Sequence, residues 1–156
     1  MVIWLYGQPK SGKTALSELL YINNLNNAIY KTMLLDEEKT NVLYGINTND
    51  RLGSLRSGRI LAELSKYHDS ELYNVIVACS TPYHETRTYL KELLPNSMLV
   101  YLEAKETKVE PIKDFNIPTK KQFDLKIDFS VDTINSNLDQ IVSFRDEFRS
   151  LRHLKY

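Results

Sequence analysis

Short apolar runs alternate along most of the chain with stretches in which leucine and isoleucine recur at helical spacing. The apolar runs, together with one late segment of alternating apolar residues, predict strands at residues 2–6, 31–35, 73–79, 98–102 and 123–129. Helical spacing predicts helices at residues 15–25, 54–67 and 83–94. A last helix is predicted after a cap at Asp132 or Thr133, with an apolar stripe made of Ile134, Leu138, Ile141, Phe148 and Leu151.

Two segments break this pattern and are predicted as loops. Residues 41–53 contain Gly45, Gly53 and several asparagines, and residues 103–122 are polar with two prolines. Elsewhere strands and helices alternate, which is typical of the α/β class. The sequence therefore predicts a three-layer fold of the P-loop NTPase type, with a mostly parallel central sheet of about five strands and helices on both faces.

Composition limits the class of protein. The 156 residues suit a single domain, residues 1–156, with its own core. Twenty basic and twenty acidic residues cancel, so we expect neither a broad nucleic-acid surface nor a membrane surface. The single cysteine, Cys79, excludes an intramolecular disulfide and a Cys-rich zinc site. No apolar run reaches the roughly 18 residues of a membrane span, and we expect a cytoplasmic protein.

The sequence GQPKSGKT, residues 7–14, lies between the first predicted strand and the first predicted helix. It matches a phosphate-binding loop, in which glycines let backbone amides approach phosphate and the next helix N-terminus favours an anion. In such a loop Lys13 reaches the terminal phosphates of ATP, and the Thr14 hydroxyl ligates Mg²⁺. The residues predicted to contact ATP are Gly7, Lys10, Ser11, Gly12, Lys13, Thr14 and Ala15.

An acidic cluster, Asp36-Glu37-Glu38, follows the second predicted strand. Ligands of parallel sheets bind at the carboxyl ends of strands, so we expect Asp36 to face the loop's phosphates. There it can accept the proton of an attacking hydroxyl or hold the metal's water, a task that Glu37 and Glu38 could share. The strand that leads to Ser80 ends without an acidic residue. A solvated acidic turn is the alternative interpretation.

Three arginines, Arg51, Arg56 and Arg59, are candidates for binding an anionic acceptor. Arg56 and Arg59 lie three residues apart and therefore share a helix face. Together with Arg51 they could clamp an anion. A solvated basic helix face is the alternative for any one of them.

The segment TPYHETR, residues 81–87, directly follows the central predicted strand. This position predicts Thr81 and Tyr83 at the active edge of the sheet. His84 and Arg87 would follow on the start of the next helix. For His84 an ordinary surface position is the alternative.

Taken together, these segments resemble adenylylsulfate kinase (APS kinase), a family of P-loop kinases. That family phosphorylates the 3′-hydroxyl of adenosine 5′-phosphosulfate with ATP and Mg²⁺. The most specific match is TPYHETRTYLKELLP, residues 81–95, which is similar to the family's Ser-Pro-Tyr-Arg-x-x-Arg and its Glu-Leu-Leu-Pro end. Further matches follow in order along the chain: GQPKSGKT at 7–14, TMLLDEE at 32–38, NVLYGIN at 41–47, DRLGSLR at 50–56, MLVYLEA at 98–104 and FNIPTKKQFDLKID at 115–128.

The resemblance implies an ATP-dependent small-molecule kinase that uses ATP and Mg²⁺ on a small anionic hydroxyl acceptor, and it is compatible with a homodimer. Asp36 would be the catalytic or metal-positioning carboxylate, Lys13 would assist the transfer, and Thr14 and Asp36 would hold Mg²⁺. The residues that would line the adenylylsulfate pocket are Glu38, Asn47, Arg51, Arg56, Thr81 and Pro82.

The chain also departs from the family's pattern. Leu43 stands where the family has an arginine for its acceptor, Ser54 replaces an asparagine, and the aromatic segment that stacks on the acceptor's base is missing. The loop 103–122 is a shortened lid, which offers the lysines Lys105, Lys108 and Lys113. Two alternatives therefore stay open. One is a P-loop kinase for a nucleoside, a sugar or a polynucleotide end, and the other is a nucleotide-binding domain without efficient catalysis.

Overall fold

Strands and helices alternate through a computed structural model that describes residues 1–27, 31–104, 109–129 and 131–153. The strands in these residues are β1 (Val2–Tyr6), β2 (Thr32–Asp36), β3 (Asn74–Ala78), β4 (Met98–Glu103) and β5 (Leu125–Asp128). The helices are α1 (Lys13–Asn27), α2 (Glu37–Tyr44), α3 (Arg51–Ser70), α4 (His84–Leu93) and α5 (Ile134–His153).

The five strands form one parallel sheet in the order β2-β3-β1-β4-β5. The first strand is central, because Val2 pairs with Val75 on one side and Ile3 with Met98 on the other. All residues of β1 and β3 are buried, as expected for a parallel sheet that is covered on both faces. The carboxyl ends of β1, β3 and β2 therefore lie side by side.

Two apolar clusters cover the two faces of the sheet. On one face Leu61 of α3 and Leu90 of α4 pack against the sheet. On the other face Leu16 of α1 and Ile141 of α5 do so. This three-layer arrangement confirms the predicted fold class.

The prediction that residues 41–53 form a loop is wrong at both ends and right for residues 45–50. The first part, residues 41–44, belongs to α2, which is fixed by its caps rather than by an apolar stripe. The Asp36 carboxylate accepts a hydrogen bond from the Lys39 N–H (3.1 Å), and Gly45 ends the helix in the left-handed conformation. The third helix begins at Arg51, earlier than predicted, because the Asp50 side chain accepts a hydrogen bond from the Gly53 N–H (2.7 Å).

The last helix starts where it was predicted, and the Thr133 hydroxyl accepts a hydrogen bond from the Ser136 N–H (3.2 Å). Leu151 does not join the apolar stripe, because 58% of its surface is exposed. In the described residues no helix is both long enough and apolar enough to cross a membrane.

The predicted lid contains neither helix nor strand in residues 109–122. Lys105 and Lys108, two of its three lysines, lie outside the described residues. The described part leads along the edge of the phosphate-binding loop and returns to the sheet at β5.

Candidate active site

The loop between β1 and α1 adopts a backbone that needs glycine at two positions. Gly7 and Gly12 have φ angles of 156° and 91°, which L side chains rarely adopt. A Cβ at Gly7 would overlap the Leu102 carbonyl oxygen, and a Cβ at Gly12 would overlap the ring of Phe129. The loop is therefore pressed closely between β4 and the end of β5.

Lys13 is held against the loop that precedes it. Its ammonium group donates hydrogen bonds to the carbonyl oxygens of Gly7 (3.0 Å) and Gln8 (2.8 Å). Burial lowers the pKa of Lys13, and the nearby Glu37 carboxylate acts in the opposite direction. A phosphate group would compete with these carbonyls for the ammonium, which is the exchange that a phosphate-binding lysine makes.

A cavity of about 940 Å³ opens above the carboxyl ends of the strands. From the loop it is lined by Pro9, Lys10, Gly12, Lys13, Thr14 and Ala15, and from β2 and α2 by Asp36, Glu37, Glu38 and Asn41. Gly7 and Ser11 are buried and do not line it. The cavity therefore joins the phosphate-binding loop to the predicted catalytic carboxylate.

The three acidic residues after β2 have different surroundings. Asp36 lines the cavity and also caps α2. Glu38 lines the cavity and is exposed. Glu37 reaches the end of β3, where its carboxylate accepts hydrogen bonds from the Ser80 N–H (2.8 Å) and the Ser80 hydroxyl (3.1 Å). Sequence reasoning named Glu37 only as a residue that could share the task of Asp36. Its contact with Ser80 could not be foreseen, since it joins residues 43 positions apart.

The far side of the cavity is formed by the start of α3 and the residues before it. Arg51 lines it; its guanidinium lies 4.2 Å from the centre of the Tyr83 ring and pairs with Glu85. The other residues that line the cavity on this side are Thr48, Asn49, Asp50, Ser54 and Tyr83.

The structure does not bring the predicted arginine clamp together. Arg56 is exposed and does not line the cavity, because five residues along a helix turn it about 140° away from Arg51. Arg59 lies over the Tyr89 ring of α4 at 5.0 Å. Asn47 also stays outside the lining, and its side-chain oxygen accepts a hydrogen bond from the Asn49 N–H (2.9 Å).

Thr81 and Pro82 are buried and do not line the cavity either. The Thr81 hydroxyl accepts a hydrogen bond from the Trp4 indole N–H (2.8 Å) and donates one to the Cys79 carbonyl (3.2 Å). Its φ of 43° lies in the left-handed region. In this structure Thr81 shapes the backbone between β3 and α4.

Arg87, in the same segment, fastens the described lid residues to α4. Its guanidinium donates to the carbonyl oxygens of Thr81 (3.0 Å), Pro82 (3.1 Å) and Asn116 (2.7 Å). It also lies 5.0 Å from the ring centres of Tyr6 and Phe115. Burial lowers the pKa of Arg87. Its role in the structure is therefore to hold chain segments, not to face the cavity.

His84 is exposed, and its ring nitrogen lies 2.8 Å from the Gln122 side-chain oxygen. A second attachment of the lid is made by Gln8 of the loop. The Gln8 amide oxygen accepts a hydrogen bond from the Ile112 N–H (2.9 Å). Ile112, Lys113 and Asp114 consequently line the cavity, and Lys113 adds a positive charge near the loop.

The residues present fit a magnesium ion that arrives with a nucleotide. The exposed Thr14 lines the same cavity as Asp36 and Glu37, and Mg²⁺ prefers such oxygen ligands. In the described ranges no group of three or more His, Cys, Asp or Glu side chains could hold a metal by itself. That agrees with the usual arrangement in which phosphates and waters supply most of the ligands of Mg²⁺.

Comparisons with known sequences find kinases. The sequence model of the family described as adenylylsulphate kinase matches residues 1–114. A curated relative, the cytidine diphosphoramidate kinase of Campylobacter jejuni, is 28% identical over 103 residues. The match covers 66% of this chain and 60% of that protein.

Solved structures are similar in fold. The Mycobacterium tuberculosis APS kinase, in a complex with AMPPNP and APS, has a TM-score of 0.80 at 13% identity over 93% of this chain and 96% of its own. The shikimate kinase of Aquifex aeolicus has a TM-score of 0.60 at 17% identity, with 97% of this chain and 99% of its own covered. At such identities the likeness concerns the fold alone.

Proposed function

The chain belongs to the adenylylsulphate kinase family, a family of ATP-dependent phosphotransferases, and we propose that it transfers the γ-phosphoryl group of ATP to a hydroxyl of a small anionic nucleotide. One observation carries this proposal. A single cavity joins Lys13 and Thr14 of the phosphate-binding loop to Asp36 and to Arg51. Donor and acceptor can therefore meet beside the carboxylate.

The roles follow from the chemistry of phosphoryl transfer, which depends on positioning and charge neutralisation. Lys13 leaves the carbonyls of Gly7 and Gln8 to bind the terminal phosphates. The Thr14 hydroxyl would hold Mg²⁺, which would supply positive charge to neutralise those phosphates. Asp36 accepts the proton of the acceptor hydroxyl.

The first acceptor to test is adenosine 5′-phosphosulfate, with its 3′-hydroxyl as the group that is phosphorylated. The family match supports it, and Arg51 at the far side of the cavity suits the anionic 5′ end. The Arg51 guanidinium lies over the Tyr83 ring, which helps to hold it at the cavity.

A second acceptor class is cytidine diphosphoramidate, the compound for which the relative from Campylobacter jejuni is named. One feature of the acceptor side favours a compound other than adenylylsulfate: the predicted clamp residue Arg56 does not reach the cavity. Arg51 is moreover already paired with Glu85. The acceptor side thus offers less positive charge than a clamp of three arginines would.

The test is ADP release from MgATP by purified protein, measured separately with each acceptor. We expect ADP release that depends on one of the two nucleotides and a phosphorylated product of matching mass. Asp36→Asn is the matched variant, because it keeps the side-chain shape and removes the proton acceptor. Tight ATP binding with no transfer to either nucleotide, to nucleosides, to sugars or to polynucleotide ends would contradict the proposal and favour a binding domain.

A further inference from the structure

The strand β3 has no acidic residue at its carboxyl end. In many P-loop NTPases a carboxylate at the end of the strand next to the loop orients the Mg²⁺. Here the corresponding strand is β3, which pairs directly with β1, and it leads through Cys79 to Ser80. The Ser80 side chain carries no negative charge.

Glu37 brings a carboxylate to this position from the neighbouring strand. It is the first residue of α2, directly after β2, and its two oxygens reach across to Ser80. One oxygen accepts from the Ser80 main-chain N–H (2.8 Å), and the other accepts from the Ser80 hydroxyl (3.1 Å). The carboxylate is therefore held on β3 by two bonds to the same residue.

A buried hydroxyl of α3 lies near the same side chain. The Ser57 hydroxyl donates its proton to the Asn41 side-chain oxygen (2.7 Å), and its oxygen lies 3.4 Å from the Glu37 carboxylate. Glu37 is thus bonded to the end of β3 and lies close to α3 while it lines the cavity. Such support is what keeps the orientation of a group near a metal constant.

The neighbouring acidic residues are held differently. One oxygen of Asp36 is engaged as the cap of α2, and Glu38 is exposed. Glu37 is therefore the residue of this acidic cluster whose carboxylate is anchored at the end of β3.

We propose that Glu37, held by Ser80, is the positioning residue that orients the hydration shell of Mg²⁺ at the nucleotide phosphates. It takes the place of the acidic residue that β3 lacks, while Asp36 serves the acceptor hydroxyl. The inference rests on the proposed function, since it presumes that the loop binds MgATP.

The test measures ATP affinity by calorimetry, without acceptor, once with Mg²⁺ and once with EDTA. Glu37→Gln keeps the side-chain shape and an oxygen for the Ser80 N–H, but it removes the charge. We expect the gain in affinity that Mg²⁺ provides to fall about ten-fold, while affinity in EDTA does not fall. Glu18→Gln, which removes one exposed negative charge outside the cavity, should keep the wild-type gain.

A second variant shows whether a loss of affinity in Glu37→Gln comes from the missing charge or from misfolding. Ser80→Ala removes one of the two bonds to Glu37 and leaves the charge, so we expect a smaller loss of the Mg²⁺-dependent gain, in the same direction. A full gain in a folded Glu37→Gln protein, or its loss in Asp36→Asn instead, would overturn the inference. Wild-type protein that binds ATP no better with Mg²⁺ would overturn the proposed function as well.

Discussion

Replacing Arg87 by methionine should destabilise the protein measurably, although the residue does not line the cavity. Arg87 is fully buried, and its guanidinium satisfies the carbonyl oxygens of Thr81 and Pro82 and a third at Asn116. Among the described residues no carboxylate forms a salt bridge with it. The charge is stabilised instead by these carbonyls and by two aromatic rings.

The magnitude follows from what methionine leaves behind. Methionine fills similar space but donates nothing, so the buried carbonyl of Thr81 loses its hydrogen bond. The Pro82 carbonyl keeps a hydrogen bond from the Asn116 N–H (2.9 Å), and Asn116 itself lies half-buried and can take up water. One unsatisfied buried carbonyl costs roughly 1–3 kcal/mol. We therefore expect Arg87→Met to lower the free energy of unfolding by about 2 kcal/mol, a sizeable part of the roughly 5–15 kcal/mol of an ordinary domain.

Urea unfolding followed by tryptophan fluorescence is a suitable assay, because the chain has one tryptophan, Trp4, and it is fully buried. Arg59→Met is the matched control, since Arg59 is an exposed arginine that also lies over a tyrosine ring. Its midpoint should stay near that of the wild type. An Arg87→Met midpoint equal to that of Arg59→Met, at unchanged slope, would refute the structural role of Arg87.

Three further predictions concern the site and the core. Asp36→Asn should lower kcat by about 10²–10⁴-fold with little change in ATP affinity; an unchanged kcat in steady-state assays would remove Asp36 as the base. Lys13→Ala should lower kcat by about 10²–10³-fold and weaken ATP binding, while its melting temperature, measured alongside, stays close to that of the wild type. Burial raises the pKa of Tyr6 far above its usual 10, so the unfolded chain loses this proton first and stability should fall above pH 10 by about 1.4 kcal/mol per pH unit. Tyr6→Phe should flatten that slope in unfolding experiments at several pH values, and an equal slope in both proteins would assign it to other groups.

The strands were predictable because buried parallel strands read as continuous apolar runs. The run at residues 2–6 matches β1 in both bounds. The second helix was missed because it has no buried apolar face: Val42 and Leu43 are 84% and 78% exposed. The signals that were available are its caps, the aspartate before it and Gly45 after it.

Only part of the candidate site could be predicted from the sequence. The loop and Asp36 follow from local order, since both come directly after a strand. Helix geometry could not separate Arg56 from Arg51 beforehand, because Arg51 lay in the predicted loop 41–53. The early start of α3 places both on one helix, where five residues do not return to the same face. The contacts of Glu37 with Ser80, and of Thr81 with Trp4, join residues that lie 43 and 77 positions apart. No local pattern marks such contacts.

The position of β1 at the centre of the sheet has a consequence for synthesis of the protein. This strand is made before both of its partners, which are Val75 and its neighbours on one side and Met98 and its neighbours on the other. At roughly 5–20 residues per second, about 5–20 s pass before the second partner has been made. During that interval the apolar segment VIWLY has no sheet to join, and such a segment is prone to aggregation. Because both partners of β1 are distant in sequence, we expect the domain to fold more slowly than one built from local strand pairs.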